Sequence, residues 1–152
     1  GPVLGVMDQP DMGGGWLGAV GEANLFTKNE SLKITTSRCE TLADSTLLTT
    51  FPEIGSQVER QGFETVRDQV KLTRYGLDCY AYALLAMGQI DLIIEAGLNA
   101  YDVHGPIGVI EAAGGIVTNW QGGPAYNGGR LVAAGNAMLH AQALKLLSTV
   151  SE

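Results

Sequence analysis

A chain of 152 residues with 45% apolar and 16% charged side chains carries enough apolar material for a packed core, which excludes a disordered segment. Its net charge of -7 leaves no basic patch for a phosphodiester backbone, so nucleic-acid binding is not expected. No run is long and apolar enough to span a bilayer, the best (81–94) being broken by Gln89 and Asp91, and no signal peptide is visible.

The chain opens Gly1-Pro2 and runs at once into an apolar strand, 3–7, which reads as an internal start. Asp8-Gln9-Pro10-Asp11 is a turn, and Gly13, Gly14 and Gly15 form a flexible loop. Short strands follow at 16–20 and 24–27, joined by a turn at Gly21-Glu22. Residues 1–36 thus form an antiparallel β-meander. It has no partner layer of its own, and its bare face and edges lead us to expect a covering segment from elsewhere.

Residues 37–152 have a different rhythm. After a polar stretch, 37–44, a strand at 45–51 leads to a helix at 56–68 with Val58, Phe63 and Val66 as its apolar positions. Strand 70–74 leads to an apolar helix, 75–87, ended by Gly88. Strand 90–95 leads to helix 102–113 with Val103, Ile107 and Ile110 on one face and Gly114 at its end. Strands at 116–119 and 131–134 precede a last helix, capped by Asn136 and running to Leu147. Strands alternating with helices indicate an α/β fold with a largely parallel sheet. The two cysteines, Cys39 and Cys79, have no CxxC spacing and read as reduced, packed thiols, which points to a cytoplasmic protein.

In an open α/β sheet ligands gather at the carboxyl ends of strands, beside helix N-termini. Glu95 ends one strand and Asp102 opens the next helix, so both should face one crevice. An ionised Asp102 is stable at a helix N-terminus and is a hard oxygen donor suited to magnesium. It is equally suited to be a plain helix cap, and Glu95 to be a solvated strand-end acid. The sequence has no phosphate-binding P-loop, no GxGxxG turn and no GxSxG elbow. His140 reads as a core or surface residue, and the role of His104, in the first turn after Asp102, stays open.

Tyr101-Asp102-Val103-His104-Gly105, followed by Ala112-Ala113-Gly114-Gly115-Ile116-Val117, resembles the C-terminal signature of the inositol monophosphatase superfamily, roughly W-D-x-A-A and then E-A-G-G. Gly5-Val6-Met7-Asp8-Gln9-Pro10, Arg74-Tyr75-Gly76-Leu77-Asp78-Cys79-Tyr80 and Ile94-Glu95-Ala96-Gly97-Leu98 look most like its histidinol-phosphate phosphatase branch. Tyr101 replaces the usual Trp, His104-Gly105 replaces Ala-Ala, and Ala112 stands where Glu is usual.

The resemblance implies the C-terminal part of a layered αβαβα sandwich, about three-fifths of a typical member. It also implies magnesium-dependent hydrolysis of a small phosphorylated metabolite by a homodimer. Asp102 matches the aspartate that binds a second metal, and Glu95 the acid that contacts the non-phosphate part of the substrate. Asp78 would sit near that pocket or only cap its helix, and Arg74 would serve phosphate or an ion pair. The other metal ligands belong to an upstream glutamate and a D-P-x-D-G-T motif, both absent here. Asp8-Gln9-Pro10-Asp11 mimics the latter's spacing but lacks Gly-Thr and reads as a decoy. The expected reaction is histidinol phosphate to histidinol, in histidine biosynthesis. The rivals are a sister enzyme for inositol, sugar or nucleotide phosphates, and a non-catalytic fragment or binding module.

Overall fold

The computed structural model describes residues 1–151. Its first four strands, β1 (Leu4–Gln9), β2 (Gly14–Ala19), β3 (Glu22–Phe26) and β4 (Ser31–Ile34), form one antiparallel sheet in chain order. Side chains alternate between its faces. Met7, Trp16 and Ala23 are buried on the inner face, while Leu4 and Val6 stand exposed on the outer one. The β2–β3 turn is Val20-Gly21, both at positive φ, which gives the backbone twist a two-residue hairpin needs.

The expected glycine loop at 13–15 is corrected. Only Gly13, at φ 65°, turns the chain, whereas Gly14 and Gly15 pair with Gln9 and Asp8 inside the sheet. Open space for a side chain is missing at Gly15, where a Cβ would lie 3.1 Å from the Met7 carbonyl oxygen.

The second sheet has the order β6-β5-β7-β9-β8. Its strands are β5 (Thr46–Thr49), β6 (Leu72–Tyr75), β7 (Leu92–Leu98), β8 (Ile116–Thr118) and β9 (Gly129–Ala134). β5 is parallel to both β6 and β7, and β9 is antiparallel to both β7 and β8. Four of the five strands therefore share a direction. β9 reverses because no helix separates it from β8, and a parallel return would need a long crossover.

Four helices, α1 (Gln57–Arg67), α2 (Asp78–Ala86), α3 (Ala100–Ala112) and α4 (Ala137–Leu147), complete the fold. α1 begins in a reciprocal cap: the Ser56 amide donates to Glu59 Oε2 at 2.7 Å, and the Glu59 amide donates to Ser56 Oγ at 3.3 Å. Glu59 Oε1 also accepts from Arg130 Nε at 2.8 Å, which ties the start of α1 to β9. Asn136 caps α4 as expected, accepting from the Leu139 amide at 3.0 Å.

Two apolar clusters define the layers. Leu48, Ile93, Leu131 and Ala133 of the second sheet share one cluster with α2, α3 and the inner face of the first sheet. Leu47, Leu92, Ile94 and Val132 share the other with Phe63 of α1 and Leu139 of α4. The order is thus sheet, helix pair, sheet, helix pair. Trp16 locks the first interface: its Nε1–H donates to Met87 Sδ at 3.4 Å, and its ring meets Tyr80 edge-on at 5.6 Å.

His140 is buried, 2.8 Å from Thr118 Oγ1. Burial holds its pKa down, so it is a neutral core residue. His104 is exposed, and its Nε2–H donates to the Tyr126 carbonyl at 2.7 Å.

Candidate active-site crevice

Three backbone features converge on one end of the second sheet. β5 ends at Thr49 and its continuation, Thr50, turns toward β7. β7 runs past Glu95, where its register with β9 shifts before Leu98, and Gly97 within that bulge takes φ 80°. Such a bulge re-aims the strand end. α3 then starts at Ala100, with Asn99 at its N-cap. Asp102 is therefore in the first turn of α3 rather than its opening residue. Its Oδ2 accepts from the Asn99 amide at 2.8 Å.

The space enclosed is a crevice of about 690 Å³ whose walls include Asp8, Asp78, Glu95 and Asp102. Cys79, Tyr82, Thr50, Tyr101 and Pro106 also line it, and no Lys, Arg or His does. Pro106 has no amide hydrogen, so it cannot donate to the Asp102 carbonyl one turn back.

Glu95 is buried to 6% exposure. Its Oε1 accepts from the Thr50 amide at 2.8 Å and the Thr50 hydroxyl at 2.7 Å. Burial pushes its pKa up, the Thr50 hydrogen bonds oppose that, and the Asp78 charge adds to it. The group is held rigidly and pays a desolvation cost for its charge, as expected of an acid that waits for a cation.

Asp78 reaches the crevice through a strained turn. Gly76, Leu77 and Asp78 all take positive φ, at 97°, 74° and 43°. Only the glycine adopts this freely, so two non-glycine residues store strain at the crevice rim. The expected helix start at 75 is corrected accordingly: β6 runs to Tyr75, and α2 begins at Asp78.

The crevice brings together three of the acids singled out in the sequence, Asp78, Glu95 and Asp102, and leaves out Arg74. Arg74 lies on the edge strand β6, exposed, with its Nη1–H donating to the Thr73 carbonyl at 3.3 Å. Asp8, set aside above as part of a decoy, lines the crevice from β1, whereas Asp11 does not. Cys79 is not the packed thiol expected: both cysteines are free, and Cys79 is exposed in this wall. Burial of part of its surface, with the Asp102 and Asp78 charges, raises its pKa, so it stands as a thiol rather than a nucleophilic thiolate.

Four carboxylates without a basic side chain make a poor seat for a phosphate by themselves. A divalent cation would invert that field, and the donors present are the hard oxygens that magnesium selects. Asp102 has its Oδ1 outside the Asn99 hydrogen bond, which suits it as one ligand. Among the described residues, no group of three or more His, Cys, Asp or Glu is placed to hold a metal. The described residues thus fit part of a metal site and not a complete one.

A model of the Inositol monophosphatase family matches residues 1–152. The chain is 41% identical over 158 residues to the protein named "Bifunctional phosphatase IMPL2, chloroplastic" of Arabidopsis thaliana, covering 96% of this chain and 44% of the relative. It is 28% identical over 151 residues to a histidinol-phosphatase of Streptomyces coelicolor, covering 97% of this chain and 56% of that protein. Among solved structures it is similar to an inositol monophosphatase from Zymomonas mobilis, with TM-score 0.84 and 32% identity, over 95% of this chain and 57% of the other. The chain spans about half the length of the curated relatives it matches.

Proposed function

The chain belongs to the inositol monophosphatase family, and on that premise we propose that its crevice is the leaving-group side of a magnesium-dependent phosphomonoesterase site, with histidinol phosphate as the substrate. The observation that carries the reading is the four-carboxylate wall with no basic partner, at the carboxyl ends of β5 and β7 and facing the first turn of α3. Asp102 would hold part of a magnesium ion's coordination shell, and the ion would supply charge stabilisation and activation of water for hydrolysis. Glu95 holds the cationic part of the leaving alcohol. Thr50 fixes Glu95 Oε1, so its other oxygen can take the substrate's charged donor without reorganisation. Asp78, one turn before Tyr82 on α2, adds negative charge on the same side. The resemblance of 28% to a histidinol-phosphatase supports this substrate, and that of 32% to an inositol monophosphatase structure supplies the rival.

The test is phosphate release by the full-length protein with magnesium, comparing histidinol phosphate and inositol phosphate. Preference for the neutral polyol overturns the substrate assignment. Glu95→Gln sharpens the test, since glutamine keeps an acceptor for Thr50 and loses only the charge. Its kcat/KM for histidinol phosphate is expected to fall about 10- to 100-fold, the size of one charge-assisted hydrogen bond. Phenyl phosphate, whose leaving group carries no cation, should change about twofold at most. Equal loss on both substrates makes Glu95 a structural or metal-linked group.

The pH dependence has a definite sign. Glu95 must be ionised to hold a cation, and its pKa is raised. Activity on histidinol phosphate should therefore fall, as pH drops, above the ordinary carboxylate range, and Glu95→Gln should lack that limb. Stability runs the other way. A carboxyl with a raised folded-state pKa binds more protons in the folded state, so its contribution weakens as pH rises through that value. Glu95→Gln should remove this loss.

A further inference from the structure

Tyr82 is 4% exposed, and its hydroxyl is a buried polar atom with no hydrogen-bond partner among the described residues. An orphaned buried hydroxyl costs about 1–3 kcal/mol, and nearly all native buried polar groups avoid that cost. The residue is also placed for function. It follows Asp78 and Cys79 on α2 at spacings of four and three, and all three line the crevice. Glu95 and Asp102, whose charges add to burial in raising the Tyr82 pKa, belong to the same wall.

We propose that Tyr82 is a substrate-binding residue whose hydroxyl makes, with the non-phosphate part of the bound ester, the hydrogen bond that the described residues leave unmade. This rests on the reading of the crevice as the leaving-group pocket. The acids in the wall, when ionised, can only accept, whereas a phenol also donates. Burial keeps this phenol protonated, its pKa held well above the usual value. The pocket therefore fits an alcohol that presents two features side by side: a cationic donor for Glu95, and an uncharged acceptor, such as an azole nitrogen or a hydroxyl, for Tyr82. An amino alcohol bearing a neutral imidazole has both. A phosphomonoester with an unsubstituted hydrocarbon leaving group has neither.

Tyr82→Phe in the full-length protein removes one oxygen and no packing. Three measurements decide the proposal: KM and kcat on histidinol phosphate, the same on phenyl phosphate, and the melting temperature without substrate. The expected result is a rise of about tenfold in KM for histidinol phosphate with kcat changed less than about twofold, KM for phenyl phosphate unchanged, and a melting temperature equal to or above the parent's. A lowered melting temperature with equal losses on both substrates overturns the proposal, because the hydroxyl then has a partner within the fold. An unchanged KM for histidinol phosphate overturns it too. If the parent enzyme prefers inositol phosphate, the substrate assignment fails separately. Tyr82 is then judged by whether its Phe variant raises KM for inositol phosphate and not for phenyl phosphate.

Discussion

In the full-length protein, Asp102→Asn is expected to lower turnover of every phosphomonoester about 100-fold or more, the cost of losing one charged stabiliser at a transition state. It should shift stability by only about 1 kcal/mol or less, the size of one charge in the field of a helix N-terminus. The contrast follows from the one job the geometry shows for this side chain and the second that the proposed metal site would give it. Oδ2 accepts from the Asn99 amide at 2.8 Å, which is a structural role that asparagine can keep through its own oxygen. Oδ1 is left for a cation, which an uncharged amide holds far less well. Asp102→Ala removes both roles and should cost about 1 kcal/mol more in stability through the unpaired amide.

The pair of variants therefore separates cap from ligand. If Asp102 only caps α3, the Asn variant keeps its turnover and the Ala variant loses mainly stability. If Asp102 holds magnesium, both lose turnover, Ala loses more stability than Asn, and calorimetric magnesium affinity falls in both. Parental turnover with a parental magnesium requirement in Asp102→Asn would remove this residue from the metal site.

The sequence exposed the parts of the crevice that depend on local spacing. Glu95 and Asp102 were legible because a strand is followed at once by a helix, which brings both to one side, although the strand runs on to Leu98 and the helix already starts at Ala100. The cap of α4 at Asn136 and the apolar face of α3 were legible for the same local reason, whereas on α1 Phe63 and Val66 are buried and Val58 stands exposed. What depended on partners distant in sequence was hidden. β4, Ser31–Ile34, is half polar and exposed, and it is a strand only because β3 pairs with it. Gly14 and Gly15 look like a loop until Gln9, Asp8 and Phe26 are brought beside them.

The reversed direction of β9 had one usable sign, the missing helix between 119 and 128. Alternation elsewhere in the chain masked it. The Asp8-Gln9-Pro10-Asp11 stretch gives no sign that Asp8 lines the crevice, because that depends on where β1 lies against α3. Tyr82 was hidden among the apolar residues of α2, because an orphaned hydroxyl is a property of its surroundings. The positive φ of Leu77 had no local signal either, since leucine rarely adopts it, whereas aspartate does so more readily.

Gly18→Ala should be among the most disruptive small substitutions in the first sheet, destabilising by about 3 kcal/mol or more. That corresponds to a melting temperature lower by roughly 6–12 °C for a chain of this size or somewhat larger. A Cβ there would lie 2.5 Å from Val109 Cα, 2.6 Å from the Gly108 carbonyl oxygen and 2.9 Å from Ala112 Cβ. The first two are backbone atoms of α3 and cannot swing aside. Its register partner Gly5 has the same confinement, with a Cβ 2.8 Å from Gly108 Cα, and a Cβ at Gly105 would sit 2.7 Å from the Val6 carbonyl oxygen. Sheet backbone thus rests directly on helix backbone along a seam of glycines.

The seam matters to the site because β1 supplies Val6, Met7 and Asp8 to the crevice, and α3 supplies Tyr101, Asp102, Gly105 and Pro106. Lifting the sheet to admit one methyl group would part those two walls, so activity should fall along with stability. Gly21→Ala is the control. It has φ 77° and open space around it, so its cost is backbone strain alone, about 1 kcal/mol, with turnover unchanged. Should Gly18→Ala melt no lower than Gly21→Ala, the sheet does not lie on α3 at this distance, and the crevice walls are not held together by it.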